Sequence, residues 1–279
     1  MTAAAASVAA RPAAATRAWA LVRRHALTAY AVLAFAYLLL PIAVVVAFSF
    51  NDPAGRFNFT WQGFTLENWA NPFGYPELQG AVALSLQIAA LSSFVATVLG
   101  TMIGLALVRY RFRARGATNL AVFLPMATPE IVLGSSLLAL FLNLSFPLGF
   151  GTILIAHIMF NISFVVVTVR ARLTGFDRAL EEAAMDLYAN PWTTFFRVTL
   201  PLIAPGVLAA GLLAFALSVD DFVITYLVSG ADQTFPLFVW GAARVAVPPQ
   251  VNVIGTAIFM TAVALMLVNI LVQRRREAT

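Results

Sequence analysis

The feature that most constrains this chain is a recurrence of long apolar runs, parted by short segments that carry arginine. A helix rises 1.5 Å per residue, so about twenty residues cross a hydrocarbon layer ~30 Å thick. Six such runs can be marked, at 26–50, 81–108, 118–142, 151–169, 203–219 and 251–272. None alternates with the period of two expected of a barrel strand, and each is longer than such a strand needs. A helix satisfies its own backbone hydrogen bonds in lipid, so the predicted fold is all-α, a polytopic bundle of six transmembrane helices. The charge content agrees: 10% of residues are charged, against roughly 25% in soluble domains.

Arginine sets the predicted orientation. Every basic residue other than histidine is arginine. Arg11, Arg17, Arg23 and Arg24 precede the first run, and Arg109, Arg111, Arg113 and Arg115 separate the second from the third. Arg170, Arg172, Arg178 and Arg197 lie between the fourth and fifth, and Arg274, Arg275 and Arg276 follow the sixth. Only Arg56 and Arg244 fall on the other side, fifteen against two, which predicts that both termini are cytoplasmic. Residues 1–25 read as a cytoplasmic N-terminal tail, frayed through the alanine-rich stretch to Ala15, residues 26–273 as the membrane domain, and 274–279 as a short tail. No small-residue cleavage site closes the first run, which argues against a signal peptide. The net charge of +5 is explained by these loop arginines and gives no reason to expect a nucleic-acid partner. Cysteine is absent, so disulfides and thiolate metal sites are excluded.

Two loops stand out. Residues 51–80, predicted to face outward, are rich in Asn, Pro, Gly and aromatics and suit a surface cap or a partner contact. The inward loop 170–202 contains a stretch from Ala179 to Leu187 that is too short and too polar to span a membrane. Asn190-Pro191 then predicts a turn and a new helix, with Asn as cap and Pro at the first position. The next span opens at Leu200-Pro201. Physical chemistry alone therefore predicts a helix-turn-helix elbow at the cytoplasmic surface, serving either as a plain amphipathic connector or as a docking element.

Glu182-Ala183-Ala184, three residues, Tyr188, nine residues, Val198, one residue and Leu200-Pro201 resemble the EAA motif. That motif marks MetI-like permease subunits of type I ABC importers. Tyr188 departs from it, because the family usually has glycine there. Tyrosine does not readily take the positive φ that glycine allows, so Asn190-Pro191 is expected to supply the turn, or the ring to pack on a partner. The resemblance runs over residues 26–272. Leu40-Pro41-Ile42, Ser49-Phe50-Asn51 and the stretch Phe64-Thr65-Leu66-Glu67-Asn68-Trp69 look like these permeases. Leu124-Pro125, Pro129-Glu130-Ile131-Val132 and Ser218-Val219-Asp220-Asp221 look most like the spermidine/putrescine branch.

The resemblance implies a non-catalytic permease subunit in a bacterial inner membrane. It implies an ATPase dimer beneath, a second and different permease beside it, and an extracytoplasmic binding protein above. ATP and Mg would be bound by the ATPase, and the chain itself has no P-loop. The coupling elbow would comprise Glu181, Glu182, Ala183, Ala184, Asp186, Leu187, Tyr188, Asn190 and Pro191, with Leu200 and Pro201 behind it. In that scheme Glu182 makes charged contacts at the joint, and Ala183 and Ala184 supply a small surface for close packing. The implied cargo is a polyamine; iron(III), thiamine and phosphonate importers share the scaffold.

Three carboxylates lie within or near the spans: Glu130, Asp220 and Asp221. An ionised carboxylate in hydrocarbon is costly, so each is expected to face a cavity or be neutralised. Pro125 and Pro129 are expected to break the third span beside Glu130, and broken helices at membrane depth occur where they line water. A cationic cargo would use such acceptors, with Phe123 and Tyr226 offering cation–π faces. For the Asp pair, a solvated place at the outer interface is an equal reading. Gln87, Asn161 and Ser163 are expected to bond between helices. His25 and His157 lack partners at metal-ligand spacing and read as structural, with no metal site expected. An intramembrane enzyme fits poorly, because Asp220-Asp221 lacks a third carboxylate and His157 lacks a GxSG nucleophile.

Overall fold

The computed structural model describes residues 14–175, 177 and 179–277. Arg11, Arg178, most of the predicted N-terminal tail and the last two residues lie outside them. In chain order the helices are α1 (Ala14–Phe48), α2 (Glu67–Ala70), α3 (Pro76–Arg109), α4 (Arg115–Ala127), α5 (Glu130–Asn143) and α6 (Phe150–Thr174). There follow α7 (Ala179–Asp186), α8 (Pro191–Thr194), a π turn (Phe195–Thr199), α9 (Leu200–Asp220), α10 (Val223–Val228), α11 (Phe235–Val245) and α12 (Pro249–Glu277). Among the described residues the only β pairing is two isolated bridges. Among the described residues four helices are long and apolar enough to cross a membrane, or five spans if the bent α4–α5 pair counts as one.

The chain divides into two compact units, one running to Pro72 and resuming at Val247, the other Phe73–Ala246. In the first, α1 packs on α12. The loop between α1 and α2 is an ordered cap organised by buried Asn51. Its Nδ2 donates to Asn58 Oδ1 at 2.6 Å and to the Thr60 carbonyl at 2.8 Å, and its Oδ1 accepts from the Gln62 N–H at 2.7 Å. Phe50 stacks on Phe64 and on Trp69, with centroids 5.6 and 5.5 Å away.

In the second unit, α3, α6 and α9 pack against one another, α4 lies on α6, and α10 lies on α5. One apolar cluster joins Ile88, Leu137, Phe141, Ile153, Ile224 and Val228; another joins Ala96, Val165, Val169, Leu173, Ile203 and Ala210. Helices in lipid gain little from burying apolar surface against each other, so they associate through small residues that admit close approach. Gly100 shows how tight the α3–α6 contact is: a Cβ there would stand 2.6 Å from Val165 Cγ1 and 3.3 Å from the Ile162 carbonyl oxygen.

The third predicted span, 118–142, is not one helix. It breaks at Thr128-Pro129, and its halves differ in direction by 110°. Thr128, preceding a proline, is extended (φ −84°, ψ 134°), as the proline ring demands. Its N–H and hydroxyl both donate to the Leu124 carbonyl, at 3.0 and 2.7 Å, so the broken end is satisfied locally. Pro125, by contrast, lies inside α4 without ending it. The π turn before α9 has a similar cause. Pro201 has no N–H to give the Arg197 carbonyl, and the Leu200 N–H bonds back to the Phe195 carbonyl in the wider loop.

Two alanine substitutions on α3 are expected to differ in sign. Gly100→Ala forces α3 from α6 and costs about 1–3 kcal/mol. Gly80→Ala, with nothing within 4 Å of the new Cβ, is expected to stabilise by roughly 0.5–1 kcal/mol through the helix backbone. Thermal unfolding of the two variants in detergent checks both.

Candidate functional site

The elbow is built from short-range bonds. Asp177 Oδ1 accepts from the Ala179 N–H at 2.9 Å as α7 begins. At its other end the Tyr188 N–H bonds to the Met185 carbonyl (2.9 Å) and the Ala189 N–H to the Ala184 carbonyl (3.1 Å). This pair is a Schellman cap with Tyr188 as its left-handed residue, and Tyr188 has φ 63°. The expectation that Asn190-Pro191 would spare tyrosine this conformation is therefore corrected. Tyrosine adopts the glycine geometry at a cost of roughly 1–2 kcal/mol, because the cap requires it. Asn190 and Pro191 act one step later: Asn190 Oδ1 accepts from the Thr193 N–H at 2.8 Å and Pro191 opens α8.

The inward-turned carboxylate of the elbow is Glu181, not Glu182. Glu181 is buried, accepting a hydrogen bond from Thr199 of the π turn and pairing with Arg109, the last residue of α3. Glu182, Ala183, Asp186, Leu187 and Tyr188 are exposed, and Ala184 is half-buried. Leu200 and Pro201 open α9 behind the elbow. Beside it lies a cleft of about 880 Å³ whose walls include Thr101, Leu105, Arg109, Trp192 and Phe196.

A second constellation forms where α9 gives way to α10. Asp221 is extended (φ −62°, ψ 122°). Its Oδ2 accepts from the Thr225 N–H and the Thr225 hydroxyl, at 2.8 and 2.7 Å, which satisfies the start of α10. His157 on α6 sits beneath, with Nε2 2.9 Å from Thr225 Oγ1 and 3.3 Å from Asp221 Oδ2, and Nδ1 2.6 Å from Ser218 Oγ. Ser92 on α3 in turn donates to Ser218 at 3.1 Å. With a neutral imidazole the donors run one way. The Thr225 hydroxyl hydrogen is used on Asp221, so Nε2 carries the hydrogen toward Thr225, and Ser218 donates to Nδ1. A single buried chain thus links α3, α9, α6 and α10.

The Asp pair therefore splits. Asp221 is drawn inward, its side chain 7% exposed, while Asp220 is exposed. On the exposed side Phe222 stacks on Tyr226 (5.6 Å) and leans on Trp240 (5.3 Å), with the Arg244 guanidinium 4.7 Å above the Trp240 ring. Glu130 is exposed in the first turn of α5, just past the break. One turn on, Gly134 meets Leu227 and Ile224 of α10, so Glu130 and Tyr226 lie on elements that touch. Phe123 is exposed on α4.

His157, Ser92 and Ser218 carry the interhelical bonding that was expected of other residues. Gln87 is exposed, and the buried Asn161 amide has no hydrogen-bond partner among the described residues. Phe222 and Trp240 were also missed. The signal available was spacing alone: Phe222 and Tyr226 are four apart, one helical face. The joining of α11 to this face depends on tertiary contacts.

An all-helical bundle with a capped elbow and an acidic helix break describes a membrane transport component. The family described as binding-protein-dependent transport system inner membrane component matches residues 96–276, and the chain belongs to it. It is 38% identical over 241 residues to the spermidine/putrescine transport system permease protein PotC of Escherichia coli K12, covering 86% of this chain and 90% of that one. It is 37% identical over 234 residues to the putrescine transport system permease protein PotI of the same strain, covering 81% and 83%. Its fold is similar to that of a chain of a bacterial ABC transporter involved in the import of the acidic polysaccharide alginate, with TM-score 0.63, 18% identity, and 95% and 99% of the two chains covered. That transporter has also been solved with an alginate pentasaccharide-bound periplasmic protein.

Removing the imidazole tests the buried chain. His157→Ala leaves Ser218, Thr225 and Asp221 short of a partner and is expected to cost about 1–3 kcal/mol in thermal unfolding. Ser92→Ala is expected to cost less, because Ser218 keeps its bond to His157.

Proposed function

We propose that this chain is the permease subunit of an inner-membrane importer for polyamines, driven by a separate ATPase that binds ATP and Mg and works through the 179–191 elbow. The observation that carries the cargo assignment is the split of the Asp pair. With Asp221 committed to His157 and Thr225, Asp220 is left exposed at a helix break two residues before Phe222, whose ring stacks on Tyr226 and leans on Trp240. Carboxylate and aromatic faces together suit an organic polycation, through charge attraction and cation–π contact. An anion would be repelled by the Asp220 carboxylate. Glu130, at the other helix break, supplies a second acceptor along the path. The identities to PotC and PotI, over more than four-fifths of this chain, support the same cargo class.

The elbow supports coupling by its connections. Glu181 ties α7 to Arg109 of α3 and to Thr199 below α9, so displacement of the elbow is delivered to two of the three helices that form the bundle centre. The working assembly in this reading has an ATPase dimer, a second and different permease, and an extracytoplasmic binding protein.

The proposed topology has six spans with both termini cytoplasmic, supported by the fifteen-to-two arginine partition. The natural absence of cysteine makes it directly testable. A single cysteine in place of Gln62 should react with an impermeant maleimide from outside, and one in place of Ala114 only after permeabilisation; the reverse pattern overturns the topology.

Uptake of labelled putrescine and spermidine is the functional test. In cells lacking the gene, complementation with the wild-type chain should restore uptake. Asp220→Asn and Glu130→Gln at equal membrane levels should each reduce it by about tenfold, the loss expected for one charged contact. Normal polyamine uptake in the deleted strain, with no second system present, would exclude this cargo.

A further inference from the structure

Tyr188 is held in a backbone conformation that suits glycine, yet it presents one of the largest side chains to the surroundings. The Schellman cap at the end of α7 demands φ 63° at this position, and asparagine or glycine would meet that demand at less cost. The ring is 97% exposed, so contacts within the chain do not offset the strain. The side chain is kept out in the open, at an unfavourable backbone angle, on a rigid cap.

Its surroundings say what it meets. Leu187 is 82% exposed and Trp192 74% exposed, and Trp192 is steadied by stacking on Phe196 at 6.2 Å. The three large apolar side chains lie around one turn of the elbow. Glu182 and Asp186, one helical turn apart on α7, are exposed alongside them. A lipid headgroup surface is a poor occupant. Tyrosine and tryptophan favour the interface, but the anionic cytoplasmic leaflet attracts basic segments and repels two carboxylates. A protein socket with an apolar floor and a basic rim matches both the rings and the acids.

We infer that Tyr188 is the anchor by which the elbow engages its ATPase: the ring enters an apolar socket on that subunit, while Glu182 and Asp186 meet basic groups at the rim. The inference rests on the coupling role proposed for the elbow.

The test is titration of the purified ATPase onto the permease assembly in nanodiscs, with Tyr188 varied. Tyr188→Gly and Tyr188→Asn both retain the left-handed turn and remove the ring; each is expected to weaken binding by at least about tenfold, as for a buried aromatic anchor. Tyr188→Phe keeps the ring face and should bind within about twofold of wild type. Thermal unfolding of the ATPase-free assembly should be unchanged or raised in Tyr188→Gly, which separates lost docking from lost folding. The double variant Glu182→Arg/Asp186→Arg provides the distinguishing arm. Glycine and asparagine variants that bind like wild type, with the double variant impaired, overturn the anchor and leave the coupling role standing. Wild-type binding by all of them overturns the coupling role itself.

Discussion

In a hydrocarbon layer no water stands ready to take a hydrogen bond, so every backbone N–H and C=O released by a helix break needs a partner from the protein. The breaks in this chain follow that constraint. At Thr128-Pro129 the threonine N–H and hydroxyl both return to the Leu124 carbonyl. At Asp220-Asp221 the Asp221 carboxylate receives the Thr225 N–H, a donor in the first turn of α10. Ahead of α9 the backbone widens into a π turn where Pro201 removes a donor. Outside the long helices, the elbow closes α7 with a Schellman cap and opens α8 with an asparagine side chain.

These solutions decide which polar groups remain exposed. Asp221 is spent on the break and on the His157 chain, and it is Asp220 that remains exposed. Because the chain through Ser92, Ser218 and His157 crosses α3, α9, α6 and α10, the position of that acid depends on how those helices pack. The tight contact at Gly100 and the placing of Asp220 are thus parts of one arrangement. At the other end of the bundle, Glu181 joins the elbow to α3 and to the π turn below α9. Both regions act on the same helices, a contiguous physical connection of the kind that coupling between distant sites needs.

Much of this was legible in the residues. Asn190 as cap, Pro191 at the first helical position and Pro201 opening α9 follow from local chemistry that operates within a few residues. So does the break near Glu130, since a proline constrains the residue before it. Which way each residue faces was not legible. Glu181 and Glu182 are neighbours on a helix, about 100° apart, and sequence gives no reason to turn one inward and the other out. Tyr188 was expected to avoid a positive φ, because the local cost argues against it; the cap, made at the carbonyls of Met185 and Ala184, overrides that preference.

Apolar length, charge and turn chemistry are properties of contiguous residues, so the residues alone carry the all-helical class of fold, the arginine asymmetry and the elbow. Tertiary packing alone leaves Asp220 exposed, joins Asp221 through His157 to Thr225 and Ser218, brings Trp240 onto the aromatic face, and turns the third span through 110°. Each of these rests on groups far apart in the chain or on the direction of a whole helix. No local pattern encodes such distances; they appear only when packing brings the elements together.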